Sequence, residues 1–152
     1  MMTVQSPRAT DNRELVITRV FDAPRDLVFQ VWSDPEHLKH WWGPKDFTLP
    51  FLEMEQRVGG KWRACMRGPD GTNYWQHGVT REIVPPERLV FTTVWENDPD
   101  NEMIVSLDFV AKGSKTEMTL RQRLFRSVEE RDGHRDGWSQ SLDRFAAYLT
   151  TI

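Results

Sequence analysis

Residues 21–44 read FDAPRDLVFQVWSDPEHLKHWWGP, and two start signals in this stretch decide the architecture. Asp22 and Pro24 open one helix, and Asp34 and Pro35 open another, because proline fits the first helical turn, where no amide partner is needed. In the first helix Leu27, Val28, Val31 and Trp32 share one apolar face. The second runs through Leu38 to about Trp42, where Gly43 and Pro44 end it. Upstream, ELVITRVFD from Glu14 has period-two character and β-branched residues, which predicts a strand. Two short helices therefore interrupt an otherwise β chain.

Downstream the pattern is that of a meander. FTLPFLEMEQ, a Gly59-Gly60 turn, KWRACMR, a Pro69-Asp70-Gly71 turn and YWQHGVTREIV are successive strands with turn chemistry between them. RLVFTTVWE, a polar loop at 97–101, EMIVSLDFVA, a turn at Gly113-Ser114 and TEMTLRQRLF complete six strands after the helices. Alternation puts Trp62, Ala64 and Met66 on one face, with Phe91, Thr93 and Trp95, with Val105, Leu107 and Phe109, and with Met118, Leu120, Gln122 and Leu124. Lys61, Arg63, Arg67, Glu117, Arg121 and Arg123 take the other, so one face is dry and the other wet. At 47–55 and 74–83 both faces are mixed, and Pro50 or Gly78 is a candidate bulge.

Ser127 and Glu130 form a capping box that opens a last helix running to about Thr150. Trp138, Leu142, Phe145 and Leu149 lay one apolar seam along it. Gly133, Gly137 and Ser141 form a second line at spacing four. Each interior glycine costs a helix about 1 kcal/mol relative to alanine, so either something needs the room or the first half is frayed.

The 152 residues provide one domain's worth of core, read here as residues 13–152 behind a disordered tail at 1–12. Twenty Lys and Arg against 23 Asp and Glu give a net charge of −3 without a basic stripe, which excludes nucleic acid as a partner. No apolar run is long enough to insert in a membrane or resembles a secretion signal, so the expected location is cytoplasmic. The lone Cys65 excludes an internal disulfide and reads as strand filler.

A strongly twisted seven-stranded antiparallel sheet curls, and one long helix covers only part of its concave face. What remains is space, filled or open according to the side chains. The dry face is rich in rings, with seven Trp and eight Phe in the chain, and large flat groups leave gaps. On spacing alone, a filled aromatic core competes with a lined cavity.

The combination of FDAPRDLVFQVWSDPEHLKHWWGP at 21–44, RVGGKWRACMRGPDG at 57–71, GVTREIVPPERLVFT at 78–92 and GWSQSLDRFAAYL at 137–149 resembles the activator of heat-shock protein 90 ATPase homologue-like family, within the SRPBCC or START-like helix-grip superfamily. The resemblance implies an α+β helix-grip fold, with a curved antiparallel seven-stranded sheet wrapped around the long C-terminal helix, and an internal cavity for apolar small molecules. Fold alone does not select a reaction.

The expected function is binding of an apolar or aromatic small molecule, lipid-like or polyketide-like, between sheet and helix. The expected lining is Trp42, Trp62, Met66, Trp75 and His77, then Phe91, Trp95, Leu107, Phe109 and Met118, then Gln122, Trp138, Ser141 and Phe145. No catalytic group, metal ligand or cofactor is assigned. A cavity enzyme of the cyclase or hydrolase type is one alternative, with His77 beside Trp75 as proton carrier. A chaperone-linked interaction module or homodimer is another, and needs an exposed apolar patch that includes Trp41 or Trp42. As sequence neighbours these two rings point about 100° apart, so one faces inward while the other gates a cavity rim or staples the helix to the sheet. His37 and His40 at spacing i, i+3 lack a fitting third metal ligand. Glu53 and Glu55 share a strand face and read as solvated. Gly113-Ser114-Lys115-Thr116 lacks the upstream glycine of a phosphate loop.

Overall fold

The computed structural model describes residues 13–152, and the tail expected at residues 1–12 lies outside them. Strand β1 (Leu15–Phe21) leads into α1 (Arg25–Ser33) and α2 (Pro35–Leu38). The meander follows as β2 (Thr48–Met54), β3 (Lys61–Arg67), β4 (Asn73–Val84), β5 (Arg88–Trp95), β6 (Met103–Lys112) and β7 (Lys115–Arg123), and α3 (Val128–Leu149) closes the chain. The seven strands form one antiparallel sheet in the order β1-β7-β6-β5-β4-β3-β2. The sheet curves around α3, the α+β helix-grip arrangement expected from the sequence.

The second start signal acts as read, whereas at the first Pro24 is the extended residue just before α1 and no side chain caps the helix. The Pro24 carbonyl accepts from the amides of Leu27 and Val28, and the Asp34 carboxylate caps α2 by accepting from the Glu36 amide at 2.9 Å. At α3 the Ser127 hydroxyl accepts from the Glu130 amide at 3.1 Å. The Glu130 carboxylate reaches back to the amide of Arg126, one residue before the cap, and also accepts from Asn101. The helix is continuous from Val128, so its polar first half is not frayed.

The two halves of the concave face differ. Over β1, β6 and β7, Leu15, Leu107, Phe109, Met118 and Leu120 are buried against Val28 and Val31 of α1 and Leu142 and Phe145 of α3. Ring contacts of 4.8 Å between Phe21 and Phe145 and 5.6 Å between Phe29 and Phe109 tie this half together. Over β2 to β5 the helices stand off, and the remaining space lies there.

Three expectations need correction. Helix α2 stops at Leu38, and the next four residues continue as a turn in which the amides of Trp41 and Trp42 still bond to the Leu38 carbonyl. Leu124 does not continue the dry face: its φ of 75° turns the chain, leaving it exposed while Phe125 tucks in. Of the two candidate bulges, one falls at Pro50, where the β2–β3 register shifts between Thr48 and Phe51. The other lies between Thr80 and Glu82, just beyond Gly78. Gly78 instead allows a close approach: a Cβ there would fall on the Thr92 carbonyl oxygen, to which the Trp62 indole donates at 3.1 Å.

Candidate functional site

Two chambers occupy the space over β2 to β5. The smaller, about 240 Å³, lies under the helices, with Phe29, Trp32 and Leu38 above and Leu49, Leu52 and Met54 of β2 beside it. Trp62 and Ala64 of β3, Thr80 and Ile83 of β4, and Leu89 and Phe91 of β5 form its floor. The larger, about 500 Å³, runs along the first half of α3. Met66, Gln76, Phe91, Thr93 and Trp95 line it from β3 to β5, Gln122 from β7, and Trp138 and Ser141 from α3. Tyr74 and Gly133 border it and are exposed, which places the mouth between the start of β4 and the start of α3. Trp42 and Phe91 line both chambers and form the wall between them.

The small residues of α3 create the room. Gly133, Gly137 and Ser141 all border the larger chamber, and a Cβ on Gly133 would meet nothing within 4 Å. The turn carrying Trp42 is tied to α3 from its other side. Ser141 Oγ donates to the Trp41 carbonyl and accepts from the Gly43 amide, both at 3.1 Å. The Arg144 guanidinium donates to the carbonyls of Gly43 at 2.9 Å and Pro44 at 3.0 Å. Trp41 is fully buried and donates to the Val31 carbonyl. Trp42 is half-buried against Trp62, Phe91 and Trp138, at ring distances of 6.4, 6.4 and 5.4 Å. The adjacent rings do diverge, but both point inward, and neither contributes to an outer apolar patch.

Indoles organise the polar atoms of the larger chamber. Trp42 Nε1 donates to Gln76 Oε1 at 3.0 Å, and Trp138 Nε1 donates to Gln122 Oε1 at 2.7 Å. Trp95 Nε1 donates to His134 Nε2 at 2.9 Å, while His134 Nδ1 faces the Glu130 carbonyl at 2.9 Å. The indole can only donate and the carbonyl can only accept, so His134 is neutral with its proton on Nδ1. Burial pushes its pKa down, partly offset by the Glu130 carbonyl and carboxylate.

Eight of the fourteen expected lining residues border a chamber: Trp42, Trp62, Met66, Phe91 and Trp95, with Gln122, Trp138 and Ser141. Leu107, Phe109, Met118 and Phe145 face the same interior but are packed into its filled half. Trp75 and His77 lie on the outer face. The antiparallel register sets Gln76 opposite Ala64 and Gly78 opposite Trp62, so these share the inner face and Trp75 and His77 turn away from it. Trp75 stacks under Arg63 at 4.1 Å, and the exposed His77 pairs with Glu96 at 3.0 Å. Two hydrogen bonds from Arg63 and the one from His77 hold the Glu96 carboxyl at about 2, well below its usual value. His77 is therefore removed from any reaction inside the cavity.

His37 and His40 flank Tyr148, through a 2.6 Å hydrogen bond and a 4.9 Å ring stack respectively. Among the described residues no three His, Cys, Asp or Glu side chains gather as a metal site.

The model of the family described as Activator of Hsp90 ATPase homolog 1-like protein matches residues 22–150. The chain belongs to this family. Solved structures of similar shape include the AHSA1 protein of Silicibacter pomeroyi, 27% identical with a TM-score of 0.82 over 91% of this chain and 98% of that one. Protein CV1439 of Chromobacterium violaceum is 27% identical, with a TM-score of 0.81 over 88% and 95%. Protein Ms6760 of Mycobacterium smegmatis is 25% identical, with a TM-score of 0.80 over 97% and 98%. No curated protein gives a significant match. In this member of the Activator of Hsp90 ATPase homolog 1-like family, Gln76 and His134 escape a reading of the sequence alone, while Thr93, placed on the dry face by alternation, borders the larger chamber without having been singled out. Gln76 is a polar letter beside a Trp that faces out, and His134 lies in a stretch too polar to show a helix face. The signal available for Gln76 was the β3–β4 hairpin: with Trp62, Ala64 and Met66 inward, a tight turn at Gly68–Thr72 forces Tyr74, Gln76 and Gly78 inward too.

Proposed function

We propose that the protein binds an apolar or aromatic small molecule between the curved sheet and the C-terminal helix, acting in the cytoplasm as a carrier or sensor rather than as a catalyst. The larger chamber carries this reading: about 500 Å³ walled by Trp42, Phe91, Trp95 and Trp138, within the roughly 300–1,000 Å³ of small-molecule sites. A guest hiding about 300 Å² of apolar surface gains roughly 7 kcal/mol before ordering costs, which caps the affinity from this term at about 10 μM. The polar groups that could move protons support the same conclusion. His134 has both ring nitrogens engaged, and His77 faces away from the chambers.

Titration with N-phenyl-1-naphthylamine, a neutral fluorescent probe, tests the reading. Saturable micromolar binding with one site per chain is expected, together with a raised melting temperature. No saturation and no thermal shift, with this probe and with a panel of fatty acids and aromatic hydrocarbons, would remove it.

A further inference from the structure

We propose that the larger chamber is built for an uncharged ring compound bearing a hydrogen-bond acceptor, such as a ketone or quinone oxygen, held by the side-chain amides of Gln76 and Gln122. The inference rests on the small-molecule reading above and specifies the chemistry of the guest.

Gln76 and Gln122 are 5% and 1% exposed, and both border the larger chamber. An indole N–H can only donate, so the bonds from Trp42 and Trp138 turn each amide oxygen toward its indole and leave the NH₂ group as what each glutamine has to offer. Gln76 Nε2 has no hydrogen-bond partner among the described residues. Gln122 Nε2 has only the Met103 sulfur, a weak acceptor at 3.4 Å. An NH₂ group without a strong acceptor inside the chain can donate to a guest that brings one into the chamber.

The other polar groups around the chamber do not compete for this role. The Ser141 hydroxyl, both nitrogens of His134 and the Glu130 carboxylate are engaged within the chain. The hydroxyls of Thr93 and, at the mouth, of Tyr74 are the exceptions, and each can donate as readily as accept. Trp32, whose ring borders the smaller chamber, keeps its Nε1 buried without a hydrogen-bond partner. No lysine or arginine lines either chamber, and Glu130 borders the larger one, so a carboxylate or phosphate guest would find a negative neighbour and no counter-ion.

Calorimetry with tetralin, 1-tetralone and tetralin-1-carboxylate separates the cases, because the three share one ring skeleton. Stripping a ketone of water costs more than stripping a methylene, so a chamber without free donors ranks tetralin first. The expected result is the reverse: tetralone binds about tenfold more tightly than tetralin, its carbonyl infrared band moves to lower frequency in the complex, and the carboxylate binds worst. Gln76→Met and Gln122→Met, in which the sulfur still accepts weakly from the indole N–H while the NH₂ group is gone, should each reduce the preference for the ketone. The proposal is overturned if tetralin equals or exceeds tetralone in the native protein, if the carboxylate binds best, or if the ketone preference survives in both variants. Good binding of tetralin without a ketone preference sinks this inference alone, whereas failure of all three compounds to bind also removes the small-molecule reading. The ranking and the infrared shift need only the native chain, so they decide the matter even if a variant does not fold.

Discussion

Replacing Gly133 and Gly137 with alanine should make the protein more stable, because both glycines lie inside α3 and serve the chamber rather than the helix. A Cβ on Gly133 meets nothing within 4 Å, and one on Gly137 meets only Pro44 Cγ at 3.9 Å, an ordinary contact. Neither residue has the positive φ that would penalise a side chain. The full helix preference of alanine should therefore appear, about 1 kcal/mol at each position. For a chain of this size the double variant should melt roughly 4–8 °C higher. Urea unfolding at pH 7 should show the same gain in the midpoint at an unchanged slope. Gly137→Leu adds the volume test. It keeps most of the helix gain while sending a branched side chain into the space beside Pro44, so N-phenyl-1-naphthylamine should bind about tenfold more weakly, the loss of roughly 1.4 kcal/mol. If the alanines destabilise the protein, or if leucine at 137 leaves probe binding intact, the glycine line is not what keeps the chamber open.

Gly78→Ala should have the opposite sign, costing about 2–4 kcal/mol in urea unfolding, since its methyl group displaces the Thr92 carbonyl and breaks the bond from Trp62. His134 has a folded pKa below its unfolded value, so the unfolded chain binds its proton first and stability falls as pH drops below about 6.5. His134→Gln, which can still accept from Trp95, should flatten that loss between pH 7 and 5; an unchanged slope would show that His134 is not its source. Glu96, held at about 2, contributes stability above pH 4.5 that is lost as pH falls toward 2. Because Arg63 and Glu96 are partly solvated, the contribution is about 1 kcal/mol. Glu96→Gln should remove it at pH 7 and make no difference near pH 2.

Much of this architecture could be read from residues whose physical role is local. Pro24 and the Asp34-Pro35 pair act on their own first turns, so two short helices were legible without tertiary information. Period-two alternation likewise placed Trp62, Met66, Phe91, Trp95 and Gln122 on the inner face, where they now border the chambers. Alternation names a face but not the part of it that a helix covers. That limit explains Leu107, Phe109 and Met118, and helical spacing has the same limit at Phe145; all four point inward yet belong to the filled half. Trp75 and His77 fail for another reason: in β4 the bulky apolar residue turns outward under Arg63 and an amide turns in, against the usual hydropathy order. Trp42 needed the third dimension, because its direction depends on Ser141 and Arg144, about a hundred residues later, gripping the turn that carries it.

The most direct test is a crystal of the protein grown with 2-bromonaphthalene, whose bromine can be located by its anomalous signal. The account expects a bromine peak within the larger chamber, among Trp42, Trp95 and Trp138, with the rings displaced little. Bromine found only on the outer surface, or a chamber closed by collapse of those three indoles onto one another, would contradict it.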